Sequence, residues 1–143
     1  MNKYQTRLYQ EWKQHGKIII AIDYDDTISP WGFRNNEDLE QIDKTIQILR
    51  LAKETGAYLS IFSACNDDRY EEIQKYCESK GLKIDSINKN PIEGLLYGYN
   101  GKIFANIFID DRAGLLESLD ILETVMYKIR GEQAKNLTLG EHI

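Results

Sequence analysis

Histidine, cysteine and proline each occur only twice in this chain of 143 residues, and the first two scarcities narrow its chemistry. Neither His15 nor His142 falls at the end of an apolar segment, so no nucleophile–His–acid set for acyl transfer can be assembled. Cys65 and Cys77 lack the paired spacing of a metal site. With no apolar leader between Met1 and His15, they lead us to expect a reducing, cytoplasmic setting. No linker rich in proline, glycine and serine interrupts the chain, which points to one domain over 1–143. Long apolar runs are absent too. The longest, Ile18 to Ile22, is far too short to span a bilayer, so no membrane partner is expected. Positive charge is in deficit, with 18 basic against 23 acidic residues. A net charge of -5 argues against a chain-wide footprint for nucleic acid or anionic lipid, while leaving room for a local basic patch.

What is present suffices for a core, since 42% of residues are hydrophobic and 10% aromatic. Tyr4, Leu8, Tyr9 and Trp12 recur at helical spacing and predict an amphipathic first helix ended by Gly16. Lys17 to Asp23 follows as a β-branched run without alternation, the pattern of a strand buried on both faces. A loop or tight hairpin from Thr27 leads to Asn36, a candidate cap for the next helix. In that helix Leu39, Ile42, Ile46, Leu49 and Ala52 form the apolar face, and Gly56 is its stop. Ala57 to Phe62 is the second strand, and a helix from Asp67 or Asp68 to Lys80 closes at Gly81. Lys83 to Ile87 and Ile103 to Ile109 complete the strands, separated by an irregular stretch with Pro91, Gly94, Gly98 and Gly101. Leu115, Leu119, Leu122, Val125, Met126 and Ile129 mark a closing helix, and 131–143 reads as a polar, weakly specified tail. Trp12 and Met126 read as core.

Alternation of strands with helices calls for an α/β fold with a mostly parallel central sheet covered on both sides. In such sheets ligands bind beyond the carboxyl ends of the strands. Those ends carry Asp23, Asp25 and Thr27 after strand one and Ser63 after strand two. Asn88 and Lys89 follow strand three, Asp110, Asp111 and Arg112 follow strand four, and Lys102 lies just before it. Clustered carboxylates raise one another's pKa and need a counter-charge, which a hard cation with oxygen ligands such as magnesium supplies. Lysine, Ser63 and loop amides suit the remaining oxygens of a phosphate, so phosphoryl chemistry is favoured. Taken singly, each of these residues has an ordinary explanation. Asp26 and Asp67 read as turn formers or caps, and Asp110-Asp111 could cap the last helix. The coincidence at three strand ends is what argues for a site.

At these residues the sequence resembles the haloacid dehalogenase superfamily of phosphotransferases. The family's Asp-x-Asp-x-Thr after an apolar strand is matched by Asp23, Asp25 and Thr27, and its Ser or Thr ending strand two by Ser63. Its lysine is matched by Lys102 or Lys89, with Lys102 favoured for its lead into Asp110, and its acidic pair by Asp110 and Asp111. The resemblance covers 17–125, leaving the helix in 1–16 and the tail outside. It implies a three-layer Rossmann-like fold and a Mg2+-dependent phosphomonoesterase working through an aspartyl-phosphate. In that reading Asp23 is the nucleophile and Asp25 the general acid/base, while Thr27 joins the phosphate-binding set in a supporting role, orienting Asp23 or capping the loop. Ser63 and Lys102 hold the phosphoryl group. The cation binds Asp23, the Asp25 carbonyl, Asp110 and Asp111.

The short intervals after Thr27 and between Ser63 and Lys102 leave no room for a cap domain, so an open site is expected. Trp31 and Phe33 could stack on a base or sugar, or could anchor their loop. The expected partner is a phosphorylated substrate, either a small molecule or a nucleic-acid terminus. The competing reading is a phosphate-sensing or interaction module without turnover. A receiver domain would place its phosphorylated Asp after a central strand, and Asn88-Lys89 stands after strand three. A metal-dependent nuclease would gain nothing from Ser63.

Overall fold

The computed structural model describes residues 1–32, 34–64, 67–89 and 104–141, with side chains to 137. Four strands and four helices follow one another as α1 (Lys3–His15), β1 (Ile19–Asp23), α2 (Asn36–Glu54), β2 (Tyr58–Phe62), α3 (Tyr70–Ser79), β3 (Ser86–Ile87), β4 (Ile107–Ile109) and α4 (Leu115–Glu141). A 3₁₀ turn, Asp67–Arg69, leads into α3. The sheet order is β3-β2-β1-β4 and every pairing is parallel. This is the α/β, Rossmann-like arrangement expected from the alternation of elements.

Successive strand residues point to opposite faces, yet Ile19, Ile20, Ala21 and Ile22 are all buried, so both faces of β1 are covered. β1 is central, pairing with β2 through Ile19↔Tyr58 to Asp23↔Phe62 and with β4 through Ile20↔Ile107 to Ile22↔Ile109. The registers place the carboxyl ends of these three strands at one edge. The Asn106 side chain extends the β4 pairing, with Oδ1 accepting from Ile19 N–H at 2.6 Å while its own N–H donates to Ile19 C=O at 2.9 Å.

Most helix boundaries follow the residue signals, with three corrections. The cap of α2 is Asn35 rather than Asn36: its carboxamide accepts from Asp38 N–H at 2.8 Å, and Asp38 returns the bond to Asn35 N–H. Strands three and four are shorter than their apolar runs, because only Ser86–Ile87 and Ile107–Ile109 have ladder partners. Residues 90–103, including Ile103 at the expected start of strand four, lie outside the described residues.

The third correction is the tail. Helix α4 runs through Gly131 to Glu141. Glycine costs a helix only about 1 kcal/mol, and tertiary contacts offset that here. Glu132 accepts a hydrogen bond from Tyr9 Oη and pairs with Lys13 at 2.9 Å, both on α1, and Gln133 donates to Thr55 C=O. Polar residues thus continue the helix because they face α1 and the end of α2. Among the described residues, no helix is long and apolar enough to cross a membrane.

Gly131 sits in the helical interior with no heavy atom within 4 Å of where a Cβ would be. Gly131→Ala is therefore expected to stabilise the protein by about 1 kcal/mol and raise Tm by a few degrees in thermal denaturation. A fall in Tm would mean that the helix does end there.

Candidate metal and phosphoryl-transfer site

Asp23 is the last residue of β1, and Asp110 and Asp111 follow directly on β4, its parallel neighbour. Their carboxylates each offer an oxygen, and these oxygens lie within 4.8 Å of one another. Thr27, fully buried, ties the two strand ends together. Its Oγ1 accepts from Asp111 N–H at 2.9 Å and lies 3.1 Å from Asp23 Oδ2 and 3.2 Å from Asp111 Oδ1. One hydroxyl proton can serve only one of those carboxylates fully, so negative charge at this point is under-compensated.

The electrostatic result is a raised Asp23. Burial, the facing Asp111 and the charge of Asp110 push its carboxyl up to about 7 from the ordinary 3.8, against the lowering effect of the Thr27 hydroxyl. Burial and the facing acidic groups thus favour the protonated form of Asp23. An all-oxygen set with this excess of charge fits a hard divalent ion, and magnesium among such ions accepts carboxylates, a backbone carbonyl and water.

Asp25 points elsewhere. Its carboxylate pairs with Arg69 at 3.4 Å and is not part of the three-oxygen cluster. Arg69 also reaches Glu72 at 3.7 Å, and its guanidinium lies over the rings of Tyr24 and Trp31. No motif in the sequence marks Arg69. Its position just beyond the strand-two end, in the 3₁₀ turn, was the available signal, since loops after parallel strands converge.

Ser63 follows β2 and is locked to the end of β3. Its N–H donates to Asn88 Oδ1 at 2.8 Å, and Asn88 Nδ2 donates back to Ser63 C=O at 2.9 Å. Asn88 adopts a left-handed φ of 51°, which suits asparagine. Lys89 is exposed beside it. Lys102, Phe33 and Cys65 lie outside the described residues.

The loop after β1 is built from its own backbone. Ile28 and Ser29 both donate to Tyr24 C=O at 3.1 Å, and Asp26 N–H donates to Ser29 C=O at 2.7 Å. Asp26 takes a left-handed φ of 64° and accepts from Trp31 N–H at 3.0 Å and from the Arg34 guanidinium. Arg34 holds the Asp26 carboxyl below the usual carboxylate range. Asp26 is thus the turn former expected. Asp67 opens the 3₁₀ turn rather than capping α3, whose N-cap is Arg69. Asp110 is not the cap of α4 either. Its carboxylate accepts from Arg112 N–H at 2.9 Å, and the helix begins only at Leu115, after Gly114.

No protein-family model matches the chain, and no curated protein does. Among solved structures, that of a conserved protein coded by locus from Bacteroides thetaiotaomicron is similar, with a TM-score of 0.53 and 30% sequence identity. The match covers 67% of this chain and 77% of that one.

Two outcomes follow for the site. Thr27→Val leaves Asp111 N–H without its acceptor and is expected to cost about 1–3 kcal/mol in chemical denaturation, with Thr27→Ser retaining most of the stability. Asp23 gives the second. Its folded pKa exceeds its unfolded one, so between about pH 4 and 7 the folded state keeps a proton the unfolded chain has lost. Stability from this group therefore falls as pH rises through that window. In chelator, the Tm advantage of Asp23→Asn over wild type should grow from pH 5 to pH 8. A constant difference would show that Asp23 carries no such strain.

Proposed function

We propose that this chain, which belongs to one family with the Bacteroides thetaiotaomicron conserved protein, is a magnesium-dependent phosphomonoesterase of the haloacid dehalogenase type. The observation that carries this reading is the convergence of Asp23, Asp110 and Asp111 around the Thr27 hydroxyl, with Asp25 two residues away on a different partner. Three carboxylates offering oxygens to one point suit a cation, and a fourth kept apart from them suits proton transfer.

In this mechanism an oxygen of Asp23 attacks phosphorus, the ester P–O bond breaks, and Asp25 gives its proton to the leaving oxygen. Water then attacks the aspartyl-phosphate, Asp25 takes up a proton from it, and phosphate departs with Asp23 regenerated. Thr27 holds Asp23 in place at the end of β1. Ser63, fixed by Asn88, offers a hydroxyl to a phosphoryl oxygen, and Lys102 or Lys89 offers a positive charge. Magnesium, held by Asp23, the Asp25 carbonyl, Asp110 and Asp111, would neutralise charge on the transferring group.

The pairing of Asp25 with Arg69 also supports the alternative of a phosphate-sensing module, in which Asp25 never transfers a proton. Hydrolysis of a generic aryl phosphate separates the two. With magnesium, wild type is expected to turn over. Asp23→Asn should lose on the order of 10³-fold or more in kcat, and Asp25→Asn about 10²–10⁴-fold. Chelation should abolish turnover. Activity surviving in Asp23→Asn would rule out the aspartyl-phosphate route, and tight phosphate binding without any turnover would favour the module.

A further inference from the structure

Trp31 is 60% exposed, on a loop whose packing is carried by other residues. Tyr24, Thr27 and Ile28 are buried, and Tyr76 Oη donates to Ile28 C=O at 2.7 Å, so the loop is anchored without the indole. The burial of the loop therefore does not depend on the indole. Its backbone is nonetheless held, because Trp31 N–H donates to Asp26 Oδ1 and Asp26 is clamped in turn by Arg34. A lone exposed aromatic needs no explanation on a mobile or featureless surface. Here the backbone is held and the ring lies beside a half-buried guanidinium, that of Arg69, 5.6 Å from the ring centroid. The same guanidinium contacts the Asp25 carboxylate, the residue that faces the leaving group in the reaction proposed above.

We infer that Trp31 and Arg69 form the leaving-group subsite, and that the leaving group is a nucleoside whose base stacks on Trp31. The inference rests on the phosphomonoesterase reading and supplies its substrate class. Three features lead to a nucleotide. A planar ring is the group an exposed indole binds best, and stacking tolerates any base. One guanidinium contacts both the Asp25 carboxylate and, at 5.6 Å, the indole, which brings the ring within reach of a base joined to the ester oxygen through a sugar. Arg69 then offers planar N–H donors to the hydroxyls of that spacer or to base acceptors, while keeping its cation near the indole. A mononucleotide fits better than a polynucleotide, because a net charge of -5 opposes a longer phosphate backbone.

The test compares adenosine 5′-monophosphate with glycerol 3-phosphate, an aliphatic monoester. Wild type should prefer the nucleotide. Trp31→Ala should lower the ratio of the two kcat/KM values about tenfold, mostly through KM for the nucleotide, and Trp31→Phe should recover much of it. A binding readout runs alongside, in the turnover-deficient Asp23→Asn protein with magnesium. There adenosine 5′-monophosphate should quench tryptophan emission saturably, and Trp31→Phe in that background should remove the quenching, since Trp12 is buried. If both esters lose kcat/KM in equal proportion on Trp31→Ala, the subsite is overturned and the phosphomonoesterase reading stands. If wild type hydrolyses neither ester but the quenching is seen, the enzyme reading and the leaving-group role fall together, and only nucleotide stacking on Trp31 stands. Absence of quenching overturns the subsite whatever the turnover.

Discussion

A single hydroxyl, that of Thr27, holds two neighbouring strand ends in register with each other and with the loop between them. It accepts the Asp111 N–H and lies against carboxylate oxygens of both Asp23 and Asp111. Through it the acidic residues after β4 are hydrogen-bonded to the loop after β1. The sheet supplies the coarse placement, since parallel strands in register end together. Thr27 supplies the fine one. Its burial is complete, so the interaction is little screened by water and has much to lose if a partner goes unpaired.

That constraint creates the main tension in the structure. Burying Asp23 against Asp111 and Asp110 opposes its charge, visible as a carboxyl pushed up to about 7. The apolar packing of β1 between β2 and β4 stabilises an arrangement that these charges oppose. Natural folds accept such local conflict where chemistry needs it, and compensate elsewhere. Compensation here comes from the buried core around β1 and from the α1–α4 contacts through Tyr9, Lys13 and Glu132.

The α/β architecture was legible because the apolar runs and glycine stops are strong local signals. Ile18 to Ile22 could hardly be anything but a buried strand, and Gly16 does end α1. The convergence of Asp23, Asp110 and Asp111 followed from strand ends alone, because parallel topology turns sequence position into geometry. What escaped was set by side chains meeting across long sequence separations. Helix α4 continues past Gly131 because Glu132 finds Tyr9 and Lys13, partners that no local window contains. Arg69 was missed for the same reason: its tie to Asp25 depends on how the 3₁₀ turn folds back over the β1 loop. The exposure of Trp31 was equally invisible, since an aromatic in a loop can point either way until its backbone partners are known.

The loop after β1 divides its labour unusually cleanly. Its fold is written in Tyr24, Asp26, Thr27 and Ile28, while Trp31 stands outside that packing with its backbone pinned through the Asp26 carboxylate. A side chain that contributes little to folding can be exchanged at little thermodynamic risk, because surface positions of this kind tolerate most residues. The tip of the loop is therefore free to drift in evolution, or to be redesigned, while the acidic centre beneath it stays unchanged. One scaffold could in this way give rise to paralogues that differ in what they recognise and share how they fold.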